Sequence, residues 1–172
     1  MKKKQRIVLI LSAVAIIGLV VFFGITIKPT SCQTVLPLRQ SNELIDALDQ
    51  NAYKFASTSM SVSGRSSEGG EQINFVDNGK RQIVEQHFYG ESGKSYARFY
   101  YFEGRLFAIT KLNLFYKVPI YVDPSAAVKS SEKKDFYLNK NGVVCNWFLN
   151  DSEQPVDKDT IDMIKEYVLG IL

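Results

Sequence analysis

An uncharged apolar segment near the amino terminus constrains this chain more than any other feature. Residues 7–27 read IVLILSAVAIIGLVVFFGITI. At a rise of about 1.5 Å per residue they form a helix of roughly 30 Å, which is the thickness of the hydrocarbon core of a bilayer. A chain in lipid must satisfy its backbone hydrogen bonds internally, as a helix does. The segment therefore predicts a single transmembrane signal anchor, preceded by a basic cytoplasmic tail at residues 1–6.

The charges around this segment predict its orientation. The tail reads MKKKQR and carries four basic residues, whereas only Lys28 and Arg39 follow the segment within residues 28–40. The positive-inside tendency then places the amino terminus in the cytoplasm and the remainder of the chain outside it. We predict a single-pass protein of the bacterial cytoplasmic membrane, with an extracytoplasmic C-terminal domain.

Two other interpretations of the apolar segment stay open. A cleaved signal peptide has an apolar core of about 7–15 residues and an A-x-A-like site after it, whereas this segment is longer and no A-x-A tripeptide follows it. A lipoprotein signal places a lipidated cysteine just beyond the segment, where Cys32 stands. Of the residues before it, Ser31 fits the lipoprotein motif, while Pro29 and Thr30 depart from it. We expect an uncleaved anchor.

The part of the chain beyond the anchor is slightly acidic. The whole chain has a formal charge of +3, but five of its 21 Lys and Arg lie at or before Lys28, which leaves 16 against 18 Asp and Glu. The basic excess thus belongs to the topology signal. The outer domain has no basic surplus that would indicate nucleic acid as a partner.

The chain has two cysteines, Cys32 and Cys145, and both fall on the predicted outer side. In an oxidising compartment such a pair predicts a disulfide. Two alternatives are a lipidated Cys32 with a free Cys145, and a link between the Cys32 residues of two chains. No CxxC pair or neighbouring histidine indicates a metal site.

Two amphipathic helices are predicted to bracket the outer domain, residues 41–172, which follows a proline-containing stalk at 28–40. The first spans about 42–56 with Ser41 as its cap, because apolar residues recur there at helical spacing. The second lies near the C-terminus, with Asp157 or Asp159 as its cap and Ile161, Ile164, Val168 and Ile171 on one stripe.

Between the helices the sequence predicts a run of β-hairpins. Aromatic and β-branched segments are separated by the turn signals Asn78-Gly79, Glu103-Gly104 and Asn141-Gly142. Residues 125–134 are predicted to be part of a loop. The pattern favours an α+β domain in which an antiparallel β meander of about five to seven strands is covered by the two helices on a single face.

Catalytic signatures are absent from the sequence. His87 is the only histidine, and Glu85 shares its strand face two residues away, so that the two could form an acid–base pair. A Cys–His dyad with Cys145 would require that cysteine to be free. There is no glycine-rich phosphate loop, nucleophile elbow or metalloprotease motif. We predict no catalytic, cofactor-binding or metal-binding residues.

The aromatic segment ARFYYF at 97–102 suggests the region with which a partner could interact. Along this strand Tyr96 and Tyr100 share one face, and Tyr101 lies on the other. The three tyrosines are the predicted interaction surface, on whichever face the helices leave open. We therefore expect a non-enzymatic binding domain for a protein or an envelope component. The alternative is an envelope enzyme or small-ligand carrier with a site between sheet and helices near His87.

Overall fold

The computed structural model describes residues 32–63, 66 and 68–169. The predicted tail and anchor, residues 1–27, lie outside this part of the chain. Within it, no helix is both long enough and apolar enough to cross a membrane. The anchor and its orientation therefore stay predictions.

One antiparallel sheet of eight strands and two helices make up the described fold, which confirms the predicted α+β class with a β meander. The order of the strands across the sheet is their order along the chain. A short 3-10 helix, Ala52–Lys54, joins the first helix to the first strand. The bounds are α1 Leu38–Asn51, β1 Ala56–Val62, β2 Gly70–Asp77, β3 Lys80–Gly90, β4 Gly93–Phe102, β5 Arg105–Tyr116, β6 Val128–Leu138, β7 Val144–Leu149, β8 Ser152–Gln154 and α2 Lys158–Leu169.

The tight turns form where the sequence offers residues that tolerate positive φ. The values are 48° and 75° at Asn78-Gly79, and 50° and 77° at Glu103-Gly104. Two successive residues in this region are typical of a type I′ hairpin turn, whose twist matches that of the strands. These two predicted turns are confirmed. A third turn of this form, Asn150-Asp151, joins β7 to β8 without glycine and was not predicted. The third predicted turn, Asn141-Gly142, is a turn of a different form in which Gly142 has a φ of 76° and its amide donates to the Asn139 carbonyl at 2.9 Å.

The sheet has more strands than the five to seven predicted. Two of the strands, β1 and β6, begin in polar segments, and β6 begins at Val128, inside the predicted loop at 125–134. The strand β8, which the sequence did not predict, has only three residues. A strand whose side chains are largely exposed needs no apolar alternation, so the sequence pattern is weakest for such strands.

The two helices lie on opposite faces of the sheet, so the prediction of a single covered face is wrong. Leu48 of α1 packs with Ile83 and Tyr100, whereas Ile164 of α2 packs with Val84 and Phe99. Adjacent residues of a strand point to opposite faces. Because β3 and β4 carry large apolar side chains on both faces, each face needs its own helix. We call these the α1 face and the α2 face.

The first helix begins earlier than predicted. It starts at Leu38, directly after Pro37, whose φ of −53° suits a helix start. Ser41 is not the cap: it lies inside the helix, is buried, and its hydroxyl donates to the Leu36 carbonyl at 3.3 Å. The predicted stalk, 28–40, thus overlaps the folded part, where the Val35 amide also donates to the Leu138 carbonyl at 2.9 Å.

The second helix has the cap that the sequence suggested. The Asp157 carboxylate accepts a hydrogen bond from the Thr160 amide at 2.8 Å and another from the Thr160 hydroxyl at 2.7 Å. These bonds to the first turn lower the pKa of Asp157. Of the two candidates, Asp157 is therefore the cap and Asp159 is a residue of the first turn.

The two cysteines lie at disulfide distance, and both are disulfide-bonded. The predicted disulfide between Cys32 and Cys145 is thus confirmed. It leaves Cys145 unavailable for the alternative Cys–His dyad with His87.

Candidate functional site

The three tyrosines predicted to form an interaction surface do not lie together. Tyr100 is 2% exposed and belongs to the core of the α1 face. Tyr101 packs on the α2 face, with the Arg81 guanidinium 5.4 Å from its ring centroid. Tyr96 is half-buried on the α1 face, beyond the core. The side chain of Tyr100 is therefore not available to a partner.

Two transverse rows of side chains organise the α1 face. The strand register aligns an apolar row under α1, formed by Ile83, Tyr100, Ala108 and Tyr137. Two residues further along each strand the same register aligns a polar row, formed by Glu85, Arg98, Thr110 and Asp135. The apolar row is buried, and the polar row lies where the cover provided by α1 ends.

Ion pairs connect the polar row to α1. Arg98 donates from Nε to Glu85 at 2.5 Å and from Nη1 to Asp49 of α1 at 3.0 Å. The other Asp49 oxygen accepts the Tyr100 hydroxyl at 3.2 Å. One arginine therefore neutralises two carboxylates, one from the sheet and one from the helix.

The electrostatics of this network follow from its partial burial. Burial acts to lower the pKa of Arg98, but the charges of Glu85 and Asp49 outweigh it, so the pKa is raised. Burial raises the pKa of Tyr100, and the neighbouring Asp49 charge raises it further. Both groups thus stay in their ordinary protonation states, which is expected of a structural network.

His87 forms the pair with Glu85 that the sequence suggested. Its Nε2 atom contacts a Glu85 oxygen, and its ring meets the Tyr96 ring edge-on with centroids 4.8 Å apart. Glu85 already binds Arg98 through its other oxygen. His87 is absent from the residues that line the cleft and the cavity described next.

A cleft of about 420 Å³ opens between α1 and the strands β5–β7. We call it the acidic cleft, because three aspartates, Asp46, Asp135 and Asp151, line it together with one cation, Lys133. The remaining lining residues are the apolar Leu38, Ile45 and Phe148 and the polar Asn42, Thr110 and Tyr137.

Hydrogen bonds fix the floor of the acidic cleft. Asp135 accepts the Thr110 hydroxyl at 2.7 Å and lies 2.9 Å from the Lys133 ammonium. The Tyr137 hydroxyl donates to Asn42 at 2.6 Å. The hydrogen bond to Asp135 raises the pKa of Lys133, while burial, followed by the Asp135 charge, raises the pKa of Tyr137 to about 12.

The two carboxylates at the rim of the acidic cleft, Asp46 and Asp151, are exposed. Asp151 is 87% exposed and 3.9 Å from Lys133, and Asp46 is exposed on α1. With Lys133 as the one cation among three carboxylates, the cleft has a local charge that favours a cationic ligand. Within the described residues no group of acidic, histidine or cysteine side chains is arranged to hold a metal ion.

A second concavity lies on the α2 face. This cavity of about 550 Å³ is bounded by α2 and the strands β3–β5, and Phe88 and Phe99 contribute to its walls. At its rim Lys111 donates to the Tyr167 hydroxyl at 2.7 Å, with its ammonium 4.3 Å from the ring centroid. Its aromatic lining is typical of small-ligand sites.

Sequence reasoning predicted one feature of the α1 face and missed another. It paired His87 with Glu85 correctly, but it gave no indication of the acidic cleft, whose residues are scattered from α1 to the β7–β8 turn. The signal that could have found the polar row is the strand register set by the Asn78-Gly79 and Glu103-Gly104 turns.

Comparisons with protein-family models, curated proteins and solved structures find no match to this chain.

Proposed function

We propose that this protein is a non-enzymatic, membrane-anchored binding domain that receives a basic side chain of a protein partner in the acidic cleft. The proposal is carried by one observation, the convergence of Asp46, Asp135 and Asp151 on a cleft with a single cation. The apolar residues of the cleft suit the aliphatic stem of a lysine or arginine, whose charged head then reaches the carboxylates.

Lys133 already occupies part of this site. Its ammonium lies between Asp135, at 2.9 Å, and Asp151, at 3.9 Å, which is where the cation of a partner would be attracted. The side chain is 46% exposed and can turn toward solvent. Lys133 is therefore an internal competitor, and its removal should strengthen the binding of a cation.

Each ion pair in the acidic cleft should contribute only modestly to the affinity for a basic partner. Exposed ion pairs contribute about 0.2–1 kcal/mol each, so neutralising Asp46 or Asp151 should weaken binding by a factor of about 1.4 to 5. Charges at a rim act mainly on the association rate and its dependence on salt. We therefore expect the interaction to weaken as the ionic strength rises.

A peptide titration of the full-length protein in detergent micelles tests the proposal. Acetyl-trilysine amide is added while the NMR signals of Thr110 and Phe148 are followed, and acetyl-triglutamate amide is the charge control. We expect shifts with the basic peptide alone, weaker binding in Asp151→Asn and tighter binding in Lys133→Met. Asp162→Asn, the same change on α2, should bind as the wild type does. Equal responses to both peptides would contradict the proposal.

The predicted topology has its own test. Protease added outside spheroplasts should degrade the domain at 41–172, because the positive-inside tendency places it outside the cytoplasm. Full protection of the domain would reverse the topology. Cross-linking in native membranes, with the full-length protein as bait, then identifies the partner or envelope component.

The alternative function is an enzyme or small-ligand carrier near His87. The observation in its favour is the pairing of His87 with Glu85 at the margin of the α1 face. Substituting His87 with alanine while leaving the acidic cleft intact separates the two proposals. Retention of peptide binding and of any cellular phenotype in His87→Ala favours the binding domain, whereas loss of the phenotype with binding intact favours the alternative.

A further inference from the structure

The outer edge of β1 differs from the open edges at β6 and β8. In the described residues β1 pairs only with β2, so alternate backbone N–H and C=O groups along its outer side point away from the sheet. The seven residues of Ala56–Val62 read ASTSMSV and contain no charge and no proline. The pairing with β2 also has no register shift, so no bulge bends the edge away.

Natural proteins protect open edges with short strands, charges, prolines or bulges. The open edges at β8 and β6 have such protection. The strand β8 is only three residues long. The part of β6 that β7 leaves unpaired, residues 128–132, carries Lys129 and Glu132. The lack of any such device along the seven residues of β1 indicates that this edge is used for pairing.

We propose that β1 pairs antiparallel with β1 of a second copy of this chain, so that the two sheets join into one. A two-fold axis at Ser59 would align Ser57 with Ser61 and Thr58 with Met60. Every directly aligned pair is then small or uncharged, and the Ser59 hydroxyl of each copy donates to Glu71 of its own chain.

The side chains of β1 support a second copy as the partner. Six of its seven residues are exposed, and Met60 has 54% of its surface accessible. In the two-fold arrangement Met60 of one copy gains Thr58 of the other as a neighbour on the α2 face. Ser59 and its symmetry mate would meet on the α1 face.

Cysteine cross-linking tests this pairing in cells that produce the full-length chain. Because Cys32 and Cys145 are engaged with each other, Ser59→Cys adds a single free thiol. Oxidation or a short bis-maleimide should shift Ser59→Cys from monomer to dimer on non-reducing gels. The matched control Ser152→Cys, in the opposite edge strand β8, should stay monomeric.

A charge variant gives an independent readout. Ser59→Glu places two carboxylates opposite each other on the axis, each beside Glu71 of its own copy, so the mass of the detergent-solubilised chain should fall from dimer to monomer, while Ser152→Glu should leave it unchanged. A monomeric wild type, or a fully labelled Ser59→Cys that forms no dimer, overturns the proposal. Cross-linking of Ser59→Cys to a different protein instead of itself overturns it as well.

Discussion

At the scale of single residues, the function of Arg98 in this structure is to hold two carboxylates at the margin of α1. Replacing it with methionine leaves Glu85 and Asp49 without their shared cation, and Glu85 is only 11% exposed. We expect Arg98→Met to lower the free energy of unfolding by about 2 kcal/mol, less than for a fully buried pair because Arg98 is 37% exposed.

His87 gives the matched comparison for Arg98. Its loss leaves Glu85 bound to Arg98, so His87→Ala should cost less than about 1 kcal/mol. Urea denaturation of the wild type and both variants measures the difference. An equal cost for the two variants would mean that Arg98 contributes no more than His87 to keeping Glu85 in place.

The raised pKa of Tyr137 predicts that the folded chain loses stability at high pH. Its pKa is raised to about 12 in the folded chain, against about 10 in an unfolded one. The folded state therefore retains the proton longer, and this contribution to stability is complete below pH 10 and disappears as the pH rises to 12. The slope is about 1.4 kcal/mol per pH unit for one group.

The substitution Tyr137→Phe tests this pH dependence. Denaturant midpoints measured from pH 9 to pH 12 should fall less steeply in the variant than in the wild type. A residual slope is expected, because the pKa values of Tyr100 and Lys133 are raised too. Parallel curves for wild type and variant would show that Tyr137 is not the group that titrates.

At the scale of secondary-structure elements, the sequence predicted what local chemistry determines. Type I′ turns need residues that tolerate positive φ, and Asn78-Gly79 and Glu103-Gly104 are such pairs. The cap at Asp157 is likewise a local hydrogen bond. The strand β6, by contrast, is ordered by pairing with β5 over residues 108–116, which no local pattern in the polar segment reveals. The pairing with β5 therefore outweighs the low β-propensity of this polar segment.

The faces on which the two helices lie were not predicted, because they too depend on packing between distant parts of the chain. An amphipathic stripe shows that a helix is covered on one side, but it does not identify the face of the sheet that covers it. The information was present in β4, where Phe99 and Tyr100 demand cover on opposite faces. The acidic cleft depends on where α1 lies, so it could not be predicted once both helices were assigned to one face.

Because the two helices cover separate cores, substitutions in them should have additive effects on the free energy of unfolding. Leu48 and Ile164 are 7% and 1% exposed, in cores on opposite faces of the sheet. Each change to alanine should lower the free energy of unfolding by about 2–5 kcal/mol. Because the sheet separates the two sites, the double variant should equal the sum of the single variants within about 0.5 kcal/mol. A larger departure, measured by urea denaturation, would indicate that the two cores are coupled.

At the scale of the whole molecule, the meander pairs each strand with its neighbours along the chain, and the disulfide adds a covalent link between two distant parts of the chain. Cys32 and Cys145 close a loop that contains the helix α1 and the strands β1–β6. In the chain-entropy model, closing a loop of about 114 residues stabilises the folded state by roughly 4–5 kcal/mol, an upper value because strain subtracts from it.

Thiol labelling and reduction test this contribution together. Unreduced protein should show no free cysteine, and stoichiometric labelling of Cys145 would contradict the disulfide. The double variant Cys32→Ser/Cys145→Ser should unfold at a lower temperature than the wild type, since its unfolded chain gains the entropy that the cross-link removes. A reducing agent should lower the midpoint of the wild type toward that of the variant and leave the variant unchanged. If the reductant also lowers the midpoint of the variant, its effect does not come from this disulfide.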